Sequence, residues 1–322
     1  MNVAVVGAGV MGLAAARALA RRGHDVTVYE QFELEHTRGS SHGSSRIFRL
    51  SYPDPEWVSL AQRSYELWRE LENESGVQLL ELHGLVDVEL NPSARLDALE
   101  ARAVPHEVLG PDDVRDRFGF EYPDVERLVF TRDAGISLAN VTVSTLASEA
   151  RRYGAGFREN TRIESLDDVP GDSVVVTAGG WAPKLLAGAG VELNARPTRE
   201  TVVYFAGDPI ASLIDELDGQ FFALTAPGVG VKAGRHKAGR ETDPDDAAEP
   251  DDEIVSAVID WVARRLPRVD ATPLRAETCI YTNVEEERFV VERHGRYVVG
   301  SACSGHGFKF APAVGETLAD LV

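Results

Sequence analysis

Hydrophobic residues near the start of the chain are spaced first as in a buried strand and then as in a helix. Residues 3–6 predict a buried strand, residues 13–22 an alanine-rich helix that ends at Gly23, and residues 25–29 a second, parallel strand. A strand, a helix and a parallel strand in this order form a βαβ unit. The sequence therefore predicts an α/β protein that opens with a Rossmann-like unit.

The pattern changes near Gly84, where short alternating strands and polar loops replace the helical spacing. This change predicts a second, antiparallel-sheet domain inserted into the first. We predict that the nucleotide-binding domain comprises residues 1–83, 138–198 and 286–322, and that the substrate domain comprises residues 84–137 and 199–285.

Further elements follow from the same patterns. The sequence predicts helices over residues 58–74, 141–153 and 254–266 and near Pro312, and strands over residues 85–90, 173–180, 201–205, 220–224 and 229–233. Residues 289–292 and 296–300 predict a hairpin, and the acidic residues 243–253 predict an exposed loop.

Charge and cysteine content exclude several classes of function. The net charge of -19 over 322 residues repels nucleic acid and anionic lipid. Cys279 and Cys303 are too few for a disulfide framework and lack metal-ligand spacing, so we expect no metal site. With no secretory leader and no bilayer-length apolar run, the expected location is the cytoplasm.

The first strand and helix are joined by a glycine pattern typical of dinucleotide binding. Gly7, Gly9 and Gly12 give G-x-G-x-x-G, and Glu30 ends the next predicted strand. Gly7 permits a tight turn, Gly9 lets a pyrophosphate approach the backbone, and Gly12 lets helix and strand pack closely. Glu30 can accept hydrogen bonds from ribose hydroxyls. The pattern predicts a bound dinucleotide and leaves FAD and NAD as alternatives.

Three further segments carry a resemblance to a known family. Residues 39–49 read GSSHGSSRIFR, residues 279–282 read CIYT, and residues 303–310 read CSGHGFKF. In this order they resemble the monomeric sarcosine oxidase family, which includes N-methyltryptophan oxidase. The resemblance implies FAD as the cofactor and a small secondary amino acid, N-methyl or cyclic, as the substrate. It also implies O₂ as the electron acceptor, hydrogen peroxide as a product, and a monomer.

The resemblance assigns several residues to the flavin. Cys279 occupies the place of the cysteine that carries FAD covalently in the family, although a buried thiol can also serve only as a small hydrophobe. His42 and Arg46 match residues beside the flavin. Cys303 has no counterpart of this kind and is expected to be an ordinary buried thiol.

A glycine-rich turn near the end of the chain matches the family's loop beside the substrate and flavin. It contains Gly305, His306 and Gly307. A lone histidine is more often structural than catalytic, and both roles stay open for His306.

The resemblance also places cations around the substrate. Arg49 and Lys309 match the family's clamp for the substrate carboxylate, which suits a charge that must be paired when it leaves water. Lys232 and His236 match a K-x-G-x-H element in which the lysine promotes the reaction with O₂. The alternatives are a surface ion pair for Arg49 and a solvated lysine on an edge strand for Lys232.

Aromatic positions bear on the identity of the substrate. Tyr281 is expected to line the pocket, although buried tyrosines usually only pack. Phe221 stands where related oxidases often have tyrosine, and Arg235 replaces a residue that is commonly aromatic.

Two other functions remain compatible with the sequence. An FAD-dependent dehydrogenase would pass the electrons to an acceptor other than O₂. A non-catalytic flavin-binding module would bind FAD and a partner, but it would not explain cations that match a carboxylate clamp in separate segments.

Overall fold

The computed structural model describes residues 1–247 and 249–322. The helices in this part of the chain are α1 Val10–Arg21, α2 Pro55–Ser75, α3 Ser93–Ala101, α4 Pro111–Phe118, α5 Ala139–Arg152, α6 Ala182–Gly188, α7 Asp252–Arg265 and α8 Ala311–Asp320. The strands are β1 Asn2–Val6, β2 Asp25–Tyr29, β3 Ser45–Phe48, β4 Leu80–Glu81, β5 Leu85–Val88, β6 Glu107–Leu109, β7 Leu128–Thr131, β8 Gly135–Leu138, β9 Gly156–Arg158, β10 Ser173–Val176, β11 Ala195–Phe205, β12 Ser212–Asp215, β13 Phe221–Ala226, β14 Gly230–Arg235, β15 Arg240–Glu241, β16 Pro273–Val284, β17 Val290–His294 and β18 Tyr297–Ser301.

The first sheet has the strand order β17-β18-β10-β1-β2-β9, and all its neighbours are parallel except the hairpin of β17 and β18. Strands β1 and β2 pair in parallel around α1, which confirms the predicted βαβ opening. Helix α1 packs against α5 and α8, and most of its side chains, including Leu13 and Leu19, are buried. Burial on both faces explains why β1 reads as a continuous apolar run.

The second sheet has the order β15-β11-β14-β13-β12-β5-β7-β6. Strand β16 also belongs to this sheet and pairs along the whole length of β11. Most of its pairs are antiparallel, as predicted, but β5 and β12 run parallel, which the sequence did not indicate. Helix α7 covers one face, where its Trp261 stacks on Phe221. The opposite face borders the cavity described below.

A third, small sheet has the order β3-β8-β4. The strands of the first sheet come from the segments that we assign to the nucleotide-binding domain. The strands of the second sheet fall in the segments of the substrate domain, apart from the first residues of β11. The division into two domains remains a prediction.

Several elements differ from the sequence prediction. Helix α1 begins at Val10, three residues before the predicted start, because the backbone of Gly9 is still extended and ends the preceding loop. Helices α3 and α4 lie where only strands and loops were expected. Both are short, and the apolar face of α3 is poorly defined in sequence, so the helical spacing is difficult to detect.

The predicted acidic loop, residues 243–253, is largely exposed, although Ala248 lies outside the described residues. Helix α7 starts at its end, where the Asp251 carboxylate accepts hydrogen bonds from the Glu253 and Ile254 amides. Asp245 in the same loop accepts hydrogen bonds from Arg162, which follows β9, and from Trp181, which follows β10, and so attaches the loop to the first sheet. Within residues 1–247 and 249–322, no helix combines the length and apolar content needed to cross a membrane.

Candidate active site

A cavity of about 410 Å³ lies between the first and second sheets. Its wall combines the β1–α1 loop, the segment before β3, the cavity face of β14 and β16, and the turn before α8. With one exception, the residues that the sequence analysis assigned to the cofactor or the substrate line this cavity: Gly7, Gly9, Glu30, His42, Arg46, Arg49, Lys232, His236, Cys279, Tyr281, Gly305, His306, Gly307 and Lys309. The exception is Gly12, which does not line the cavity but packs against Gly7, which does.

The glycines of the β1–α1 loop allow close backbone packing at one end of the cavity. Gly7 has φ +98°, and a Cβ on it would lie 2.6 Å from the Thr177 carbonyl oxygen. A Cβ on Gly12 would lie 1.9 Å from the Gly7 carbonyl oxygen, so no larger residue fits without moving the loop. Gly9 caps α1 and faces the Ser41 hydroxyl, which accepts a hydrogen bond from the Val10 amide at 3.0 Å.

Glu30 closes this end of the cavity. Its carboxylate is buried and accepts hydrogen bonds from the Ala8 amide at 2.8 Å and the Phe32 amide at 3.1 Å. Burial alone raises the pKa of this carboxyl, but the hydrogen bonds from His36, Ala8 and Phe32 outweigh burial, so the pKa lies below its usual value. Glu30 is therefore an ionised acceptor at neutral pH.

Arg46 and His42 order the segment before β3. The Arg46 guanidinium donates hydrogen bonds to the carbonyls of Ser40, His42 and Ser45, at 2.7, 2.5 and 2.8 Å. Burial, followed by the Arg46 charge, lowers the pKa of His42 to about 4. The neutral His42 ring has a buried Nε2 atom that finds no hydrogen-bond partner in the described chain.

Arg49 and Lys309 lie beside the same aromatic ring, although 260 positions separate them in the sequence. The Arg49 guanidinium carbon is 4.3 Å from the centroid of the Tyr52 ring, and the Lys309 ammonium nitrogen is 5.8 Å from that centroid. Both side chains also line the cavity. The two cations can therefore approach one anion together.

Lys309 is almost completely buried, at 4% exposure. Its ammonium donates a hydrogen bond to the His306 carbonyl at 2.6 Å, and no carboxylate of residues 1–247 or 249–322 lies within ion-pairing distance. Burial and then the Arg49 charge hold the pKa of Lys309 well below its usual range. A carboxylate ligand would reverse part of this shift, because it would pair with the ammonium.

Lys232 lies in the interior of the second sheet. Strand β14 runs between β11 and β13, so the alternative of a solvated lysine on an edge strand is wrong. The side chain is 3% exposed and donates a hydrogen bond to the Ser45 carbonyl. Burial and the Arg46 charge hold its pKa well below the usual range, and no described carboxylate forms an ion pair with it.

The two cysteines both border the cavity and are not joined by a disulfide. Cys279 lies on β16, opposite Glu200 of β11. Burial raises the pKa of the Cys279 thiol to about 11, although the Arg46 charge lowers it in part. Cys303 accepts a hydrogen bond from the Thr282 amide at its sulfur, at 3.4 Å.

The turn before α8 depends on glycine at two positions. Gly305 has φ +78°, and a Cβ there would lie 2.3 Å from the Tyr281 ring and 2.5 Å from the His236 ring. A Cβ on Gly307 would lie 1.7 Å from the Ala302 carbonyl oxygen. The close contacts of Gly305 let the rings of His236 and Tyr281, whose centroids are 5.6 Å apart, approach the turn.

His306 packs in an aromatic cluster. Its ring stacks on Phe289 at 5.1 Å and contacts Trp57 edge to face at 5.0 Å. Burial and the Lys309 charge lower the pKa of His306 to about 3, so the ring is neutral at physiological pH. These contacts favour the structural alternative for the side chain, while its carbonyl holds Lys309.

Phe221 and Phe222 both border the cavity, but their rings face opposite sides of β13. The Phe221 ring stacks on Trp261 at 5.2 Å in the core beneath the second sheet. Phe222, the next residue of β13, lies on the cavity side with Leu224 and Lys232. Successive strand residues face opposite sides, so the Phe222 ring faces the cavity while the Phe221 ring packs in the core. Arg235 is exposed, and its guanidinium lies 5.7 Å from the Phe221 centroid.

Sequence reasoning missed an ionic network behind the cation pair. Asp87 on β5 is 1% exposed, and its Oδ1 lies 3.2 Å from Arg49 Nη1 and 3.3 Å from Arg95 Nη1. Arg95 also pairs with Glu89 and, at 3.2 Å, with Glu216, which lines the cavity. A detectable signal was present, because Asp87 interrupts the apolar strand Leu85–Val88.

The sequence analysis also missed Glu287, which follows β16 at the cavity wall. Its carboxylate pairs with Lys237 and lies 3.6 Å from His236 Nε2. The hydrogen bond from His236 lowers the pKa of Glu287 to about 2, against the effect of burial. Nothing in the local sequence distinguishes it from the neighbouring glutamates.

Comparison with known proteins identifies the family. Residues 2–321 match the family described as FAD dependent oxidoreductase. The chain belongs to this family. It is 33% identical to a monomeric sarcosine oxidase of Streptomyces avermitilis over 99% of this chain and 93% of that protein, and 29% identical to peroxisomal sarcosine oxidase of Homo sapiens over 98% and 90%.

A solved structure shows the same fold. NikD, described as an unusual amino acid oxidase essential for nikkomycin biosynthesis, superposes with a TM-score of 0.86 at 26% identity, over 99% of this chain and 93% of NikD. The oxidoreductase therefore has the predicted α/β architecture, with an FAD-binding Rossmann-like part and an interleaved sheet.

The cavity of this oxidoreductase fits FAD. Close packing at Gly7 and Gly12 leaves the α1 amino terminus open toward the cavity, where backbone amides suit a pyrophosphate. The ionised Glu30 carboxylate lines the same end and suits ribose hydroxyls. At the other end, the buried and unpartnered Nε2 of His42 provides a polar atom for a ligand.

Proposed function

We propose that this FAD-dependent oxidoreductase oxidises a small secondary amino acid, N-methyl or cyclic, and passes the electrons to O₂. The observation that carries the proposal is the approach of Arg49 and Lys309 to one Tyr52 ring, in the same cavity as the dinucleotide-binding glycines. The buried Lys309 has no carboxylate partner among the described residues, and Arg49 has free N–H groups beside it, so the pair favours a ligand that brings a carboxylate. The named activity of the sarcosine oxidase relatives supports a secondary amino acid.

Substrate binding follows from the charges of the cavity. Arg49 can offer N–H groups to both carboxylate oxygens through its planar fork, and Lys309 adds a point charge. Together they would fix the amino acid at its carboxylate and leave its amine and adjacent C–H group free to be oriented. Positioning of this kind can account for much of the rate increase of an enzyme.

When bound, FAD supplies the redox chemistry by accepting two electrons from the amine and passing them to an acceptor. Two protons leave the amine with these electrons, and the C–N single bond becomes an imine. Water then hydrolyses the imine to an aldehyde or ketone and an amine, which remain one molecule if the imine is cyclic. With O₂ as the acceptor, two electrons and two protons give hydrogen peroxide.

Other cavity residues have supporting roles in this proposal. The buried Lys232 ammonium would stabilise negative charge that develops on O₂, because a fixed cation in a desolvated site needs no reorganisation. His42 and Arg46 would contact the flavin. His236 and Tyr281, with Gly305 between them, would close the substrate side.

We also propose a thioether between Cys279 and the 8α carbon of FAD. The thiol borders the cavity, and although burial raises its pKa to about 11, the neighbouring charges of Arg46 and Lys232 offset part of this rise. Cys303 also borders the cavity, so each cysteine must be tested separately. A monomer is expected to be sufficient for activity, since all proposed site residues come from one chain.

An anaerobic mixing experiment tests the function. Sarcosine, N-methyl amino acids and cyclic amino acids are each mixed with the holoenzyme without oxygen, and the flavin absorbance is followed. We expect one of these compounds to bleach the flavin, and subsequent air to restore the absorbance with one peroxide per flavin.

The same experiment separates the alternatives. A dehydrogenase would bleach with the amine and recover in air only slowly, whereas a quinone or carrier protein would restore it quickly. A flavin-binding module would keep its absorbance with every amine, and that result would refute catalysis.

A further inference from the structure

We propose that Asp87 is a positioning residue that fixes the Arg49 guanidinium toward the substrate carboxylate. The inference depends on the proposed function, because it assumes that Arg49 binds this carboxylate. Asp87 would act only through Arg49: among the described residues, those that line the cavity include Arg49 and not Asp87.

The contacts of Arg49 support this role. Its Nη1 atom lies 3.2 Å from Asp87 Oδ1, and its guanidinium lies against the Tyr52 ring, 4.3 Å from the centroid. Within residues 1–247 and 249–322 the guanidinium has no other hydrogen-bond acceptor. Its remaining N–H groups are therefore available to a ligand in the cavity.

The residues behind Asp87 keep its charge available to Arg49. Arg95 is fully buried and shares Asp87 Oδ1, but it also pairs with Glu89 and Glu216. Two additional carboxylates therefore balance the Arg95 charge, and the Asp87 carboxylate can still pair with Arg49. The second oxygen of Asp87 has no hydrogen-bond partner in the described chain, so the ion pairs with the two arginines stabilise this buried carboxylate.

Orientation matters because a free arginine has other choices in this protein. The chain carries 52 acidic residues and a net charge of -19, so an unrestrained guanidinium could pair with another carboxylate or extend into water. A long side chain also loses rotamer freedom when it is ordered. Asp87 orders Arg49 before the ligand arrives, which removes this loss from the binding step.

The opposite effect is also physically possible, and the two effects predict results of opposite sign. Asp87 could instead weaken the clamp by neutralising Arg49, in which case its removal would tighten carboxylate binding. Positioning predicts that its removal weakens binding.

The test compares Asp87→Asn with Glu89→Gln in the holoenzyme. Glu89 also pairs with Arg95 but does not contact Arg49. The Glu89→Gln variant therefore disturbs the ion pairs of Arg95 and leaves the contact between Asp87 and Arg49 in place. Flavin absorbance titrations measure the dissociation constants of acetate and of neutral acetamide. In Asp87→Asn we expect about 10-fold weaker acetate binding and unchanged acetamide binding, as for the loss of one charged hydrogen bond. Glu89→Gln should bind acetate within about 2-fold of the unchanged protein.

Arg49→Met provides the second arm. If Asp87 acts through Arg49, adding Asp87→Asn to Arg49→Met should cause no further loss of acetate affinity. Turnover with the substrate found above should show a raised KM and a smaller change in kcat for Asp87→Asn. Equal losses in Asp87→Asn and Glu89→Gln, tighter acetate binding, or an additive loss in the double variant would each overturn the proposal.

Folding is followed by flavin content and Tm. If Asp87→Asn does not fold, Asp87→Glu takes its place, since it keeps the charge and displaces it by one methylene group. We then expect weaker acetate and unchanged acetamide binding; acetate affinity equal to that of the unchanged protein would refute positioning. The proposed function has a separate test. It would be refuted if no amine reduced the flavin, even if acetate affinity still depended on Asp87.

Discussion

Replacing Lys309 with methionine tests the carboxylate clamp most directly. Methionine retains much of the buried apolar stem and removes only the ammonium group. Among the described residues this ammonium has a carbonyl partner, His306, and no carboxylate within ion-pairing distance. A carboxylate ligand should therefore lose one charge-assisted hydrogen bond, about 1.5–3 kcal/mol, or about 10- to 150-fold in affinity.

The affinity for a carboxylate should fall as the pH rises through the pKa of Lys309. Burial and the Arg49 charge depress the pKa of Lys309 in the free protein, and a bound carboxylate raises it. Below the free-state pKa the ammonium is already present, so affinity is highest and constant. Above that pKa binding must take up a proton, and affinity should fall by up to about tenfold per pH unit until the pKa of the complex is reached.

Neighbouring groups should not produce this slope. The pKa of His306 is about 3 and that of Glu287 about 2, so both keep one charge state at neutral and alkaline pH. The Lys309→Met variant should therefore bind the carboxylate with little dependence on pH.

The Lys309→Met replacement should stabilise the folded protein, although it weakens carboxylate binding. In the unfolded chain a lysine has its usual pKa near about 10.4, above the depressed folded value. The unfolded state thus binds more protons between the two pKa values, and the cost of burying Lys309 is largest below the folded pKa. Lys309→Met should raise Tm at neutral pH, and the gain should disappear as pH approaches about 10.

The assay is a flavin absorbance titration with acetate between about pH 6 and 10, because acetate itself is fully ionised there. Lys237→Met is the control, since Lys237 pairs with Glu287 and does not belong to the described lining of the cavity. The reasoning is refuted if Lys309→Met retains both the affinity and the pH slope of the unchanged protein.

Three further experiments test other parts of the site. Lys232→Met should leave the anaerobic reduction of the flavin nearly unchanged and slow its reoxidation by O₂ by about 100-fold or more, measured by stopped flow; equal effects on both steps would contradict a role toward oxygen. Cys279→Ser should release flavin into the supernatant on acid precipitation, whereas Cys303→Ser should keep the precipitate yellow; the reverse result would move the thioether to Cys303. Gly12→Ala should abolish flavin retention, because its Cβ would lie 1.9 Å from a carbonyl oxygen. Gly188→Ala, which adds a Cβ in open space, should retain the flavin, measured by the ratio of visible to ultraviolet absorbance.

Local spacing predicted the parts of the protein that short-range geometry controls. The parallel pairing of β1 and β2 confirms the βαβ opening. It was predictable because Gly7, Gly12 and Glu30 lie within, or directly after, one strand, one helix and the next strand. The FAD-dependent family followed from ordered motifs over the whole chain, and the match over residues 2–321 confirms it.

Features that depend on strand register were less accessible. Alternate residues of β13 face the α7 core and the cavity, so local spacing does not decide which of the rings of Phe221 and Phe222 faces the ligand. The parallel pairing of β5 with β12 brings together segments more than a hundred residues apart, and local propensity does not contain that pairing.

By itself the sequence determined the dinucleotide-binding unit, because its glycines and Glu30 act through contacts set by the local backbone. The tertiary structure decided which charges meet. Only the packing of the turn before α8 against α2, which Ser64 and Trp68 hold through the Lys309 carbonyl, brings Lys309 and Arg49 to Tyr52. Only the register of β5 places Asp87 behind Arg49. Electrostatic interactions depend on distance in space and on burial, and neither is encoded at a fixed separation along the chain.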